Sequence, residues 1–129
     1  MTLLSTLRNT LEIATITANQ DRDNKSYNYD GTLIVNTGSK RLYMTRAGTF
    51  GTFDMFVATA PAGAALTVSI KKNGSEIGTG TIADGATSGT GQTLSSTSFS
   101  NGDYLTVDIT QIGSSTAGED LYINFRIAG

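Results

Sequence analysis

The stretch YLTVDITQIGSSTAGEDLYINFRI, residues 104–127, decides the fold. In its first part Leu105, Val107 and Ile109 alternate with Tyr104, Thr106 and Asp108; in its last part Leu121, Ile123, Phe125 and Ile127 alternate with Tyr122, Asn124 and Arg126. A β-strand turns successive side chains to opposite faces, so a period of two predicts two strands with an apolar inward face and a polar outward face. The seven inward residues are read as the centre of the core.

Working upstream, the same period holds from Gly31. Strands are predicted at 31–36 (GTLIVN), 41–45 (RLYMT), 53–59 (FDMFVAT), 65–72 (ALTVSIKK), 75–82 (SEIGTGTI), 92–99 (QTLSSTSF), 104–112 and 120–127, separated by turn-forming stretches such as NTGSK, AGTFG, APAG, NG, ADGATSGTG, NGD and GSSTAG. Asn73-Gly74 marks the clearest hairpin, because this dipeptide supplies the two positive φ angles of a type I′ turn. Two-residue closure pairs Lys72 with Ser75, Lys71 with Glu76 and Ile70 with Ile77. Leu66, Val68, Ile70 and Ile77 then share a face while Ile82 falls on the other, which predicts a bulge near Gly78 or Gly80. About eight short strands imply an all-β, antiparallel, jelly-roll-like β-sandwich over residues 26–129.

Composition agrees with one domain of this class. The chain has 129 residues, 38% hydrophobic and 16% charged, with 15 Gly, 1 Pro and 33 hydroxyl side chains (21 Thr and 12 Ser), a mixture that favours strands and turns over helices. With no Cys and no His, disulfides, Cys/His metal sites, thiol nucleophiles and Ser-His or Cys-His catalytic pairs are excluded. The net charge of −2 argues against nucleic acid, which demands clustered cations. The basic pairs Lys40-Arg41 and Lys71-Lys72 are read as solvated strand ends. No apolar run approaches the ~20 residues of a membrane helix, and Arg8 and Glu12 interrupt the leading apolar segment, so neither a membrane span nor an export signal is expected.

Residues 1–25 read as an N-terminal arm. Leu3, Leu7 and Leu11 have helical spacing, whereas Leu11, Ile13, Thr15 and Thr17 have extended spacing; the many threonines disfavour a helix longer than a turn. Leu3, Leu4, Leu7, Leu11, Ile13 and Ile16 need a surface to cover them and are the candidate partner-docking residues. The polar run NQDRDNKSYNYD, 19–30, reads as a loop.

Other chemistry was weighed residue by residue. The segment from Asp21 to Ser26 begins like a calcium loop, but Lys25 sits at a ligand position, Ser26 replaces the turn glycine and Thr32 stands where the bidentate acid belongs. Asp84, Asp103, Glu119 and Asp120 fall in predicted turns, where their own hydrogen bonding places them, and are not read as a glycosidase pair. The glycine-rich stretch 78–92 lacks the lysine and helix of a phosphate loop. Of the aromatics, Tyr27, Tyr29, Tyr43, Phe50 and Phe53 are assigned to packing over sugar stacking. No catalytic residue, cofactor or metal is expected.

Residues 59–82 (TAPAGAALTVSIKKNGSEIGTGTI) and 101–127 resemble small virion structural proteins of tailed bacteriophages, namely capsid decoration or cement proteins and tail-fibre modules. The similarity covers about the last 75 residues and consists of turn signals in order: Ala-Pro-x-Gly, Lys-Asn-Gly, Gly-Asp, Gln-Ile-Gly and Gly-x-Asp-Leu. This resemblance implies a non-enzymatic β-sandwich assembled into the virion in the host cytoplasm. It implies self-association, a trimer being favoured, and docking to the major capsid protein or to tail proteins. The leading expectation is a cement protein whose arm lies across neighbouring subunits or exchanges within an oligomer. The alternative is a receptor-binding module using loops 46–52, 83–91 and 113–119 against a host glycan or protein.

Overall fold

A computed structural model describes residues 24–128, and among them the fold is all-β. The strands are β1 (Lys25–Thr32), β2 (Leu42–Tyr43), β3 (Gly48–Phe56), β4 (Leu66–Lys72), β5 (Ser75–Ile82), β6 (Ser88–Gln92), β7 (Ser98–Phe99), β8 (Tyr104–Ile112) and β9 (Glu119–Ala128). They form two antiparallel sheets, one ordered β1-β9-β3-β6 with β7 also on β3, the other β2-β8-β4-β5. β6 and β7 pair with opposite halves of β3 and act as one interrupted strand. The pairings nest: β4 with β5 innermost, then β3 with β6 and β7, then β2 with β8, and β1 with β9 outermost. A long hairpin rolled up in this way is a jelly roll.

The core lies between the sheets. Leu105, Val107 and Ile109 of β8 face Leu121, Ile123, Phe125 and Ile127 of β9 from opposite sheets, and all seven are buried as their alternation predicts. Leu66, Val68 and Ile70 of β4, Phe53 and Met55 of β3, Ile82 of β5 and Leu33 are fully enclosed as well. The rings of Phe53 and Phe125 lie 5.7 Å apart, and those of Phe50 and Phe99 4.6 Å apart.

The β4–β5 hairpin forms around Asn73 (φ 52°) and Gly74 (φ 87°), the two positive angles that the Asn-Gly turn requires. Lys72 pairs with Ser75 and Lys71 with Glu76, but Ile70 pairs with Gly78 and not with Ile77. The extra residue is the expected bulge. It keeps Ile77 on the core side and brings Ile82 inward as well, opposite Leu66 and fully buried.

Several strand assignments need correction, the one at 41–45 being strand only at Leu42 and Tyr43. Lys25–Asp30, read as loop, is most of β1: Tyr27 is buried and Tyr29 packs against the core, while polar neighbours occupy the outer side of an edge strand. Conversely, GTLIVN is strand only at Gly31 and Thr32. β3 starts at Gly48, inside the AGTFG stretch read as a turn, because a register shift between Phe50 and Phe53 breaks the period while keeping both rings inward. The run 92–99 is not one strand, and the chain pairs with β3 already from Ser88. After Gln92 it leaves β3, delivers Leu94 to the core beside Gly78, and returns at Ser98.

That excursion closes one edge of the sandwich. The Gln92 side-chain amide accepts from the Thr81 N–H and donates to the Thr81 and Gly89 carbonyls, and both the N–H and the hydroxyl of Ser95 donate to the Ile77 carbonyl. Exposed backbone on β5, a template for unwanted strand pairing, is thereby capped. Residues 1–23, which carry the six arm residues Leu3, Leu4, Leu7, Leu11, Ile13 and Ile16 and the acids Asp21 and Asp23, lie outside the described residues. No helix among the described residues is long and apolar enough to cross a membrane.

Candidate functional site

The most structured surface feature grows from the connection between β1 and β2. Leu33 enters the core, and its N–H donates to the Gly118 carbonyl. Ile34 and Val35 then stand 58% and 61% exposed, and Asn36 exchanges two backbone hydrogen bonds with Ile109 of β8. Pairing with β8 resumes only at Leu42 with Leu105. The residues between, 37–41, arch onto the outer face of the sheet.

Gly38 permits the arch. A β-carbon there would lie 1.9 Å from the Val107 carbonyl oxygen, so no other residue fits so close to the strand. Its N–H donates to Asp108 Oδ1 at 2.9 Å, and Lys71 Nζ holds Oδ2 at 2.7 Å. Burial pushes the Asp108 carboxyl upward, but the bonds from Lys71 and Gly38 outweigh it and hold the group below its ordinary value. The bond to Asp108 raises Lys71 in turn. Thr106 and Asp108 were expected to point to solvent; they do lie on the outer face, yet the arch buries them. A covering segment remote in sequence cannot be read from strand periodicity.

Beside the arch, the Arg41 guanidinium lies over the Tyr104 ring, 4.2 Å from its centroid, and Nη1 donates to Tyr43 Oη at 3.1 Å. Tyr43 and Tyr104 pack at 5.6 Å with their planes tilted by 54°. The hydrogen bond to Tyr43, followed by the field of the two tyrosines, raises Arg41 above its ordinary value. Tyr104 is fixed through its backbone: its carbonyl accepts from the Asn73 N–H and its N–H donates to Asn73 Oδ1. Asn73 Nδ2 donates to Asp103, which also accepts from the Ser100 N–H; these two bonds depress the Asp103 carboxyl. The outcome is an open groove of about 290 Å³ lined by Thr37, Gly38, Ser39, Arg41, Lys71, Gly74, Tyr104, Thr106 and Asp108.

The acids singled out in sequence do not converge. Asp84 accepts from the Gly63 N–H, Glu119 from the hydroxyls of Thr32 and Thr59, and Asp120 from the Gly31 N–H, each closing a loop at one end of the sandwich. Asp103 lies at the other end, beside the Asn73-Gly74 turn. No group of three acids among the described residues is placed to hold a metal ion. The three loops of the receptor-binding expectation also separate. Segments 83–91 and 113–119 meet around Pro61 to Gly63, whereas Arg46 and Ala47 follow Met44, which bonds to the 102–103 turn, and 48–52 belongs to β3.

Of the five aromatics weighed for stacking, Tyr27, Phe50 and Phe53 are core, Tyr29 is partly buried and Tyr43 is 49% exposed. The basic pairs are less solvated than expected: Arg41 stacks, Lys71 pairs with Asp108 and Lys72 Nζ donates to the Ser98 carbonyl. The groove has no linear signature, because Tyr43 and Tyr104 meet only through sheet pairing. The nearest to one is the alternation Arg41-x-Tyr43 beside an outward Tyr104.

Comparison with models of known protein families and with curated proteins finds no match. The phage resemblance therefore rests on the turn signals at 59–82 and 101–127 alone.

Proposed function

We propose that this protein is a structural, adhesive jelly roll of a bacteriophage virion, a decoration or cement protein that works by docking to neighbouring subunits. The observation that carries the reading is the adjacent pair Ile34 and Val35, more than half exposed on a body whose turn acids are committed to closing loops. Exposed aliphatic side chains on a rigid support suit a contact surface. Phe56 and Tyr122, at 40% and 38% exposure on the outer face of the β9 sheet, offer a second such patch. The apolar arm residues, from Leu3 to Ile16, add a third source of contact. On this reading the chain performs no chemistry, binds no nucleic acid and self-associates, with a trimer favoured.

Immunogold labelling of intact particles tests it. A decoration protein gives dense labelling of the head, in hundreds of copies, and Ile34→Asp with Val35→Asp abolishes rebinding to stripped heads. Absence of the chain from particles refutes the reading. A second reading, a receptor-binding module, is favoured by the exposed Tyr43 beside Arg41; it gives a few copies on the tail and adsorption of the isolated protein to host cells.

A further inference from the structure

We propose that the groove between the arch and β4 binds a saccharide bearing a carboxylate, such as a hexuronic-acid oligosaccharide. This goes beyond a docking role and rests on no part of it. Three properties of the groove point to that ligand class.

Its charge is the first. Lys71 and Asp108 neutralise one another, which leaves Arg41 as the lining cation with no acid partner among the described residues. A guanidinium presents five N–H donors; one contact goes to Tyr43 Oη and the plane is held on Tyr104. The remaining donors are ordered before any ligand arrives, so little side-chain freedom is lost on engaging a carboxylate. One available cation matches the carboxylate of the one uronate unit seated in the groove, the others of an oligomer standing in solvent. A polyphosphate or nucleic-acid strand would require several.

Surface chemistry is the second. Tyr43 does not line the groove itself but packs on Tyr104 and accepts from Arg41, both of which do, and it exposes about half of its area, giving an apolar ring face next to the groove for the C–H side of a pyranose. Thr37, Ser39 and Thr106 line the same groove with hydroxyl-bearing side chains, while the Asp108 carboxylate at its base is already committed to Gly38 and Lys71. Rings bordered by short hydroxyls satisfy a polyol, where an aliphatic ligand would leave polar groups unpaired. Size is the third: about 290 Å³ falls just short of the ~300–1,000 Å³ usual for small-molecule sites, room for one or two sugar rings of a longer chain.

The test is an NMR titration of the full isotope-labelled chain with trigalacturonic acid, its methyl ester and sodium acetate. The acid trisaccharide is expected to shift the amides of Ser39, Arg41, Tyr104 and Thr106, and the methyl ester to bind about tenfold more weakly, as loss of a charge-assisted hydrogen bond implies. Arg41→Gln should weaken the acid trisaccharide by about tenfold and Tyr43→Ala by about fivefold, with the amide spectrum of the folded core retained in both. Arg126→Gln, on the opposite sheet, should leave affinity as it is. The proposal fails if the groove amides do not move, if the ester binds as well as the acid, or if acetate binds as tightly as the trisaccharide. It also fails if Arg41→Gln has no effect, or if Arg126→Gln weakens binding equally.

Discussion

The outer faces of the two sheets carry the same device. On the β9 sheet, Asp54 accepts from the Gly91 N–H through one oxygen and from Arg126 through the other; on the β8 sheet, Asp108 accepts from the Gly38 N–H and from Lys71. Both acids are nearly enclosed, at 5% and 8% exposure, although they stand on faces that strand alternation assigns to solvent. Each pins a neighbouring backbone segment to its sheet through a glycine N–H. The faces differ in what the pinned segment leaves behind. Gly91 lies within β6, one residue before its end, and that strand stays in the sheet, and the face is finished by the Phe56–Tyr122 pair. Gly38 belongs to an arch above the sheet, so a concavity remains beside it. An acid anchor thus holds a segment without dictating whether a groove results; that depends on how far the segment departs from the sheet plane.

Substituting the two glycines should separate the faces most sharply. Gly38→Ala places a methyl group against the Val107 carbonyl and is expected to cost about 3 kcal/mol, or to prevent folding. Gly91→Ala meets nothing within 4 Å and faces only the strain of φ +67°, about 1 kcal/mol. Urea denaturation measures both, and equal losses would break the distinction. Removing the anchors should show their likeness: Asp108→Ala and Asp54→Ala are each expected to lose about 2 kcal/mol, since each strands a glycine N–H and a cation.

Acid provides a finer probe of the β8 face. Asp108 and Asp103 titrate below their unfolded values in the folded protein, so their contribution is complete above about pH 4 and fades as pH falls through the depressed folded values. Urea midpoints should fall below pH 4, and Asp108→Asn should flatten that fall; an identical acid limb contradicts the assignment. Phe56→Ala, which removes half of an exposed aromatic pair on the β9 face, should have the smallest effect, about 0.5–1 kcal/mol by thermal melting.

What could be read from sequence follows from where each constraint resides. β8 and β9 were legible because every second residue meets the core, and the hairpin because Asn73-Gly74 leaves its turn little choice. The bulge could be anticipated from Ile82, which has to be buried. β1 escaped because an edge strand with few core contacts, chiefly Tyr27 and Tyr29, tolerates a polar sequence otherwise typical of loops. The groove escaped for a different reason. Arg41, Lys71, Tyr104 and Asp108, with Tyr43 against Tyr104, come from three strands and an arch, and no local pattern records that they meet.

Gln92 carries a chemical liability. Its amide stands in for a missing peptide unit along β5, offering one acceptor and two donors to Thr81 and Gly89. Hydrolytic loss of ammonia would turn that side chain into a carboxylate facing two carbonyl oxygens, so ageing alone could unfasten the seam. The durability of this sandwich then depends on the lifetime of a covalent bond as well as on its packing.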